Sequence, residues 1–460
     1  MLRIDAGGAG RYCDGINRRS FVQMGIAGMA SVGLPQILQA REASSDASNS
    51  RSGNSAILVW LDGGPGHMDM YDMKPEAPAE YRGLWSPIRT NVPGIEITEL
   101  FPQHAKIADK FSIIRSLHHD TGDHFAGGHR MLTTKDMGVS GANTTGRFPS
   151  IGSIVARQRE HIDTEVPHYA SVPVASSIGL RPGYFGGNWL GAQFDPFQTE
   201  GDPNNANFKV NNLEMLPGMT VGRLRDRKSL HTALDQLPRA VDASGVFDSL
   251  GRFEKQAVNF ATGEKSRTAF DLSLEPDEIR DRYGRHTWGQ SALLARRLVE
   301  AGSSFVTVHL GGWDHHWDLR AGMENYLPKV DQLVSALFMD LDERGILDST
   351  MVIVCGEFSR TPRMNDGGNG GPPLSQGTPG RDHWGNAMSC LIGGGGIKGG
   401  QVIGSTNRLG EEPMSRPVRP EHLHATIYRC LGINPKLQII DHAGRPTSVL
   451  DDPTPIEELL

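Results

Sequence analysis

The stretch AILVWLDGG, residues 56–64, is an uninterrupted apolar run that stops at an aspartate and two glycines. An apolar run without alternation is typical of a strand that is buried on both faces of a parallel sheet. The same design recurs in FSIIRSLHHD (111–120), SFVTVHLGGWD (304–314) and MVIVCGE (351–357), and a fifth run, AMSCLIGGGG (387–396), follows GRDHWG. The repetition predicts several buried strands with polar residues at their ends.

Helix-like stretches lie between these runs. In SALLARRLVEAG (291–302) and NYLPKVDQLVSALFMDLDERG (325–345) the apolar residues recur every three or four positions. Alternating strands and helices predict an α/β fold with three layers, α/β/α, around a mainly parallel sheet. Right-handed crossovers would place the carboxyl ends of the strands along one edge, where open α/β sheets bind ligands.

The middle of the chain, approximately residues 180–285, has a different composition. It is rich in glycine, asparagine, proline and aromatic residues, as in GYFGGNWLGAQFDPF, and continues into charged helical segments. Connections of this length are usually functional or disordered. We interpret this region as an insertion that forms a cap over the strand edge.

The overall composition is that of a folded soluble protein. The chain has 460 residues, of which 38% are hydrophobic, and a formal net charge of -7. The acidic balance and the lack of a long Lys/Arg run argue against nucleic acid as a partner.

The N-terminus, residues 1–43, has the pattern of a twin-arginine export signal. Arg18 and Arg19 precede a Gly/Ala-rich apolar run that ends near Pro35, which is shorter than the about 20 residues of a membrane span. A polar linker, 44–55, would separate the signal from a domain at 56–460. The signal predicts the twin-arginine export machinery as a partner, a periplasmic or cell-surface location, and no transmembrane span in the mature chain. An amphipathic helix or a retained anchor is the alternative.

The ends of the predicted strands carry possible metal ligands. Asp62, Asp314 and Glu357 each close an apolar run, and His315, His316 and His383 lie in turns beside strands of the same predicted sheet. Carboxylates crowded at one sheet edge repel one another unless a positive charge lies among them. Mixed Asp/Glu/His ligands suit zinc, manganese or iron better than calcium. Turn residues, helix caps or a polar loop would explain each residue taken alone.

Two further groups are candidates for the same site. SLHHDTGDHFAGGHR, residues 116–130, contains a dense set of histidines that would line the site or open a polar helix. Arg360 in GEFSRTP would hold a phosphate or sulfate through its planar fork, or pair with a structural carboxylate.

Several motifs in order resemble a known family. LVWLDGGPGHMDMYDMKP, SLHHDTGDHFAGGHRMLT, PGYFGGNWLGAQFDPF with GDPN, GGWDHH, GEFSRTPRMN, GRDHWG and EHLHATIYRCLGI resemble the bacterial domain-of-unknown-function 1501 proteins over nearly all of the mature chain. That family is similar to sulfatases and alkaline phosphatases, so the resemblance implies an alkaline-phosphatase-like core. It also implies a two-metal site, with Asp314, His316 and His383 at one ion, Asp62 and Glu357 at the other, and about 4 Å between the ions.

The sequence departs from the hydrolases of that superfamily at two points. Phe358 follows Glu357 where those hydrolases usually carry a second ligand histidine, and no cysteine lies in the C-x-P-x-R pattern of formylglycine sulfatases. No nucleophile motif is recognisable, so Thr121 and His124 are the catalytic candidates. His129, Arg360 and His315 are the candidates for substrate binding.

The resulting hypothesis is an exported, metal-dependent hydrolase of phosphate or sulfate esters. One or two divalent ions per chain, zinc or manganese rather than calcium, would act on a small-molecule or polysaccharide ester, and activated water or the hydroxyl of Thr121 would attack. The alternative is a non-catalytic exported binding or scaffold protein on the same fold that recognises anionic polysaccharide, because a fold does not determine a function.

Overall fold

The computed structural model describes residues 54–137, 147–210, 260, 263–366 and 378–460. The predicted export signal, almost all of the predicted linker and the centre of the predicted cap lie outside the described residues. The proposed division into signal, linker and capped domain therefore stays a prediction.

The central sheet contains every apolar run that the sequence analysis singled out. Its eight strands are β1 (Ser55–Asp62), β4 (Phe111–Leu117), β5 (Tyr169–Val172), β6 (Phe197–Gln198), β7 (Phe305–Gly311), β8 (Thr350–Cys355), β11 (Met388–Gly394) and β12 (Val402–Ile403). They are arranged in the order β12-β4-β11-β8-β1-β7-β5-β6. The two strands at the β6 edge were not anticipated, because two to four residues carry too little periodicity to be recognised.

The sheet is mainly parallel. The pairs β12–β4, β8–β1, β1–β7, β7–β5 and β5–β6 are parallel, whereas β11 runs antiparallel to both of its neighbours. The fifth apolar run is therefore a strand of the opposite direction. Its beginning, rather than its end, lies at the edge where the parallel strands end.

The central strand β1 shows why its sequence lacks alternation. Val59 is in register with Val308 of β7 and Val354 of β8. Ile57 and Val59 pack into the core on one face of the sheet, and Leu58 and Trp60 pack into the core on the other. Each residue of β1 is buried, so both faces select apolar side chains.

Within the described residues, seven helices cover the two faces. They are α1 (His124–Thr133), α2 (Ile151–Arg159), α3 (Glu264–Phe270), α4 (Asp277–Tyr283), α5 (Thr287–Ala301), α6 (Leu319–Glu343) and α7 (Pro420–Cys430). Side chains of α3 to α6 belong to one core, and side chains of α1, α2 and α7 belong to the other. The predicted three-layer α/β/α architecture is confirmed.

The remaining elements are short. Two-stranded sheets pair β2 (Pro87–Arg89) with β3 (Glu96–Thr98), β9 (Ser359–Arg360) with β10 (His383–Trp384), β13 (Ser405–Thr406) with β14 (Pro413–Ser415), and β15 (Gln438–Ile440) with β16 (Pro446–Ser448). The 3-10 turns in the described ranges are His67–Asp69, His104–Lys106, Ala108–Lys110, Gly183–Phe185, Asn188–Leu190, Ala192–Phe194, Leu272–Leu274, Leu347–Ser349 and Glu457–Leu459. Among the helices of the described ranges, none is both long enough and apolar enough to span a bilayer.

A buried charge network holds the helices of one layer together. Arg296 of α5 is 1% exposed. It forms ion pairs with Glu275 before α4 at 2.8 Å and with Asp340 of α6 at 2.9 Å. The hydroxyl of Tyr283 in α4 donates to the same Asp340 carboxylate at 3.0 Å. The two carboxylates can remain buried because the guanidinium lies between them.

We predict that Arg296→Met lowers the free energy of unfolding by about 3 kcal/mol, because it removes the buried cation that Glu275 and Asp340 share. Each carboxylate keeps a second arginine partner that is less buried, Arg297 for Glu275 and Arg344 for Asp340, which limits the loss. Arg320→Met is the matched control, since the Arg320–Glu324 pair on α6 is exposed and its loss should cost less than about 1 kcal/mol. Urea denaturation of both variants measures the difference. Equal destabilisation would contradict the role assigned to Arg296.

Candidate functional site

The start of one helix, one turn and one short strand meet at the edge where the parallel strands end. His124 is the first residue of α1, and the Asp123 side chain caps that helix by accepting from the backbone N–H groups of Phe125 and Ala126. Asp314 and His316 lie in the turn between β7 and α6, and His383 opens β10. The four residues therefore come from three separate parts of the chain.

The Asp314 carboxylate lies at the centre of this group. Its Oδ1 is 3.0 Å from Nε2 of His316 and 3.1 Å from Nε2 of His383, and its Oδ2 is 3.4 Å from Nε2 of His124. The Nε2 atoms of His316 and His383 are themselves only 2.9 Å apart. Three imidazole nitrogens thus converge on one carboxylate.

The other ring nitrogen of each histidine is held by a hydrogen-bond acceptor. Nδ1 of His124 lies 2.7 Å from Oε1 of Glu357, Nδ1 of His316 lies 2.7 Å from Oδ1 of Asp382, and Nδ1 of His383 lies 2.7 Å from the carbonyl of Gly122. In the neutral imidazole, an acceptor at Nδ1 favours a proton on that atom and leaves the Nε2 lone pair available for a cation; in the protonated ring, Nε2 donates to Asp314 instead. Metal-binding histidines are fixed in this way by their outer partners.

Burial and the close contacts within this group shift the pKa values of its members. Burial opposes the charge of His124, but the carboxylates of Asp314 and Glu357 raise the pKa of His124 to about 9. The hydrogen bond to Asp314 also raises the pKa of His316, whereas burial lowers the pKa of His383. Burial opposes the charge of Asp314 too, yet hydrogen bonds from the three histidines hold the pKa of Asp314 far below its usual range. The convergent nitrogens therefore need a positive charge among them, either protons or a cation.

The arrangement fits a metal ion. One ligand atom from each of His124, Asp314 and His383 lies within 4.8 Å of the other two, and His316 adds a fourth donor at the same carboxylate. Imidazole nitrogens with one carboxylate oxygen are a ligand set that zinc and manganese accept. The side chains of Asp314, His316 and His383 remain 38%, 23% and 22% exposed, so the group is open to solvent on one side.

Glu357 and Asp62, the other predicted ligands, lie deeper. Glu357 accepts from the backbone N–H of Gly63 at 2.9 Å and contacts the group through His124; burial raises the pKa of Glu357. Oδ2 of Asp62 accepts from the backbone N–H of Ile178 at 2.8 Å and lies 3.2 Å from Nε2 of His309. Within the described ranges, the buried Oδ1 of Asp62 has no hydrogen-bond partner. A second ion at Asp62 and Glu357 stays a prediction.

The first glycine of the DGG motif explains how Asp314 approaches β1. Gly63 has φ +113°, and a Cβ built there would lie 2.6 Å from the backbone nitrogen of Asp314. Only glycine combines that conformation with that close approach. The backbone N–H of Trp313 also donates to the carbonyl of Asp62 at 3.1 Å, which fixes the turn after β7 against the end of β1.

Arg360 binds the Asp314 carboxylate from the protein interior. It is 1% exposed, and its guanidinium donates to the carbonyls of Gly64 at 2.8 Å and Arg381 at 3.2 Å, to the carbonyl of Gly63, and to Oδ1 of Asp314. Its planar fork is therefore bound mainly to the backbone. A direct role of Arg360 in substrate binding stays a prediction.

The other predicted site residues lie outside this group of four. His315 packs on the ring of Tyr326 with centroids 5.5 Å apart. His129 is fully buried in α1, with Nδ1 2.9 Å from the carbonyl of Lys135. The Thr121 hydroxyl accepts from the backbone N–H of Asp123 at 3.2 Å in the turn before α1. Within the described residues, no side-chain hydrogen bond joins these three to the Asp314 carboxylate, and their functional roles stay predictions.

Three residues that position the site, Asp382, Arg381 and Asp69, were not predicted from the sequence. Asp382 precedes His383 in GRDHWG and fixes His316. The guanidinium of Arg381, fully buried in the same motif, pairs with the buried Asp69 at 3.0 Å and so ties this loop to the turn after β1. The charged pair Arg381–Asp382 directly before His383 was the available signal, but its partners are far away in the sequence.

Comparisons with known proteins give a family and several distant structures. The family model described as a protein of unknown function (DUF1501) matches residues 53–460. No curated protein matches the chain. A sulfatase from Pseudoalteromonas sp. is similar at 15% identity, with 87% of this chain and 72% of that chain covered and a TM-score of 0.39.

Two further solved structures match this chain with similar identities, coverages and TM-scores. A phosphonate monoester hydrolase of Agrobacterium radiobacter matches at 11% identity, with 88% of this chain and 77% of that chain covered and a TM-score of 0.39. A protein in the alkaline phosphatase superfamily from Vibrio parahaemolyticus matches at 10% identity, with 83% and 66% covered and a TM-score of 0.37. At these identities and TM-scores, the likenesses say nothing about the activity of this chain.

We predict that Glu357→Gln lowers the pKa of His124 in the metal-free protein from about 9 toward its ordinary 6.5. The hydrogen bond and the negative charge of Glu357 both favour the protonated imidazole, and the amide supplies no charge. NMR titration of the histidine ring protons measures the shift. Glu324→Gln on the exposed face of α6 is the control and should leave His124 unchanged. An unaltered His124 titration in Glu357→Gln would refute the assignment.

Proposed function

This chain belongs to the DUF1501 family, and from that premise we propose that it is a metal-dependent hydrolase of phosphate or sulfate esters. The observation that carries the proposal is the convergence of Nε2 of His124, His316 and His383 on the Asp314 carboxylate, with each Nδ1 held by an acceptor. Such preorganised lone pairs are typical of a metal site whose outer partners fix the histidine tautomers.

His124, Asp314 and His383 would hold one divalent ion, zinc or manganese, with His316 as a further donor. A bound ion of this kind would polarise the ester and promote ionisation of a water molecule at neutral pH. Glu357, Asp382 and the carbonyl of Gly122 would keep the Nδ1 protons in place. Arg360 would keep Asp314 at the centre of the group.

The charges near the site bear on the choice of substrate. Asp314, Asp382 and Glu357 are acidic, and the buried guanidinium groups of Arg360 and Arg381 are bound to protein acceptors. An anionic ester would therefore depend on the ion for most of its charge compensation. This supports coupling of substrate binding to metal binding.

A second candidate function is the binding of an anionic polysaccharide without turnover. The observation in its favour is the ring of Phe358, which packs on the rings of His124 and His383 with centroids 4.9 and 4.6 Å away. This apolar ring follows Glu357, where the resemblance implies a ligand for a second ion. A metal-loaded chain that binds a sulfated polysaccharide but hydrolyses no member of an ester panel would favour this candidate.

We predict that the purified full chain carries about one equivalent of a transition metal and that Asp314→Asn loses most of it, because the central anionic ligand is removed. Asp318→Asn is the matched control: Asp318 lies in the same turn at φ +52°, a conformation that asparagine adopts readily. Elemental analysis of folded protein gives the metal content, and hydrolysis of aryl phosphate and aryl sulfate esters should fall in parallel. Equal metal in both variants would refute the site.

We further propose export through the twin-arginine route, on the basis of Arg18 and Arg19 before the apolar run. Replacement of both by lysine should retain the chain in the cytoplasm, because the receptor of that route recognises the arginine pair. Cell fractionation measures the distribution, with Arg11→Lys in the same segment as the control. Unchanged export of the double variant would contradict this route.

A further inference from the structure

Two exposed apolar side chains lie in one turn at the sheet edge that also carries the candidate metal centre. The large hydrophobic residues exposed among the described residues are Ile178, Leu180, Leu274, Met414 and Ile440. Ile178 and Leu180 flank Gly179 in a single turn after β5, at 41% and 47% exposure. Single exposed apolar residues are common on protein surfaces, but two of them in one turn at this edge of the sheet indicate a binding function.

The turn, Ser177 to Leu180, is here called the apolar turn. Ser177 and Leu180 exchange two backbone hydrogen bonds at 2.8 and 2.9 Å, and Ile178 and Gly179 both have positive φ, +42° and +81°. Positive φ at both central residues is the geometry of a tight hairpin turn that favours asparagine and glycine. A β-branched residue is unfavourable there, so Ile178 adopts a backbone conformation that isoleucine disfavours.

One hydrogen bond from the apolar turn and three contacts around it fix the turn to the sheet. The backbone N–H of Ile178 donates to Oδ2 of Asp62 at 2.8 Å, and the Ser176 hydroxyl lies 3.2 Å from Nε2 of His309. Nε2 of His309 lies 3.2 Å from the same Asp62 oxygen. The backbone N–H of Ala175 donates to the Gln198 side chain at 3.0 Å. The turn is therefore held in a defined position while its apolar side chains face solvent.

Asp62 links the apolar turn to the metal centre. It ends β1 and binds the turn through its side chain, and the next residue, Gly63, lies against the backbone of Asp314. A ligand whose anionic end is bound by an ion at Asp314 would therefore have the apolar turn along the same sheet edge, next to the end of β1.

We infer that Ile178 and Leu180 form the apolar side of the ester site and select substrates whose leaving group is an aryl or branched alkyl group. The inference rests on the proposed function and names its substrate class. A surface fixed in advance binds an apolar group without losing further conformational freedom. Removal of the leaving group from water then contributes to affinity.

The test uses two ligands with the same anion. Methylphosphonate and phenylphosphonate lack an ester bond and differ only in the apolar group. Isothermal titration calorimetry on the metal-loaded full chain should give about tenfold tighter binding for phenylphosphonate, as expected for partial burial of one ring.

The decisive variant is Ile178→Asn with Leu180→Thr. Asparagine suits the positive φ of position 178 and threonine suits the extended position 180, so the turn should fold. We expect the preference for phenylphosphonate to fall to about twofold or less, with methylphosphonate affinity unchanged. Ile440→Asn, an exposed isoleucine on β15, is the matched control and should keep the full preference.

Each outcome decides between the two proposals. A preference that survives in the double variant, or that is absent in the unmutated chain, overturns the role of the apolar turn while the anion site stands. If neither phosphonate binds the metal-loaded chain, the proposed ester site is overturned, and the substrate class inferred from it is overturned as well. Loss of methylphosphonate binding in the double variant alone would show that the turn supports the centre structurally, which also overturns the inference.

Discussion

The Asp314 carboxylate meets three imidazole nitrogens and one guanidinium, and the geometry of the site depends on how that carboxylate is held. Arg360 binds it from the protein interior, and Gly63 lets the backbone of Asp314 approach the end of β1. His124, His316 and His383 arrive from different loops, each fixed at Nδ1 by a separate acceptor. Because the outer partners set the tautomers, the inner nitrogens have little freedom to avoid one another, and a cation would relieve this crowding.

The antiparallel direction of β11 places His383 with the other residues of the site. The parallel strands β1, β4, β7 and β8 end at one edge, so the residues that follow them lie there. β11 is antiparallel and contributes the residues that precede it, among them Arg381, Asp382 and His383. A fully parallel sheet would place GRDHWG at the opposite edge.

Asp62 and Asp314 have the same position relative to a strand but different surroundings. Asp314 is partly exposed and surrounded by imidazoles, whereas Asp62 is 3% exposed and binds the backbone of the apolar turn. The strand edge is thereby divided into a charged part and an apolar part joined through β1. Such a division is typical of ligand sites, in which few polar groups orient a ligand and apolar surface supplies contact area.

The sequence by itself determined the sheet, the layers and the kind of residues at the strand ends, because burial on both faces imposes a local pattern on each run. It also contained Asp314, His316 and His383 as candidate ligands, since a strand end is a local feature. It could not decide which histidine of the 116–130 group reaches Asp314, or that Glu357 contacts the centre through His124. The contact between His124 and Glu357 joins positions 233 residues apart, and the hydrogen bond between His383 and the carbonyl of Gly122 joins positions 261 residues apart. Separations of that size are closed only by strand order and strand direction, and no local pattern encodes either.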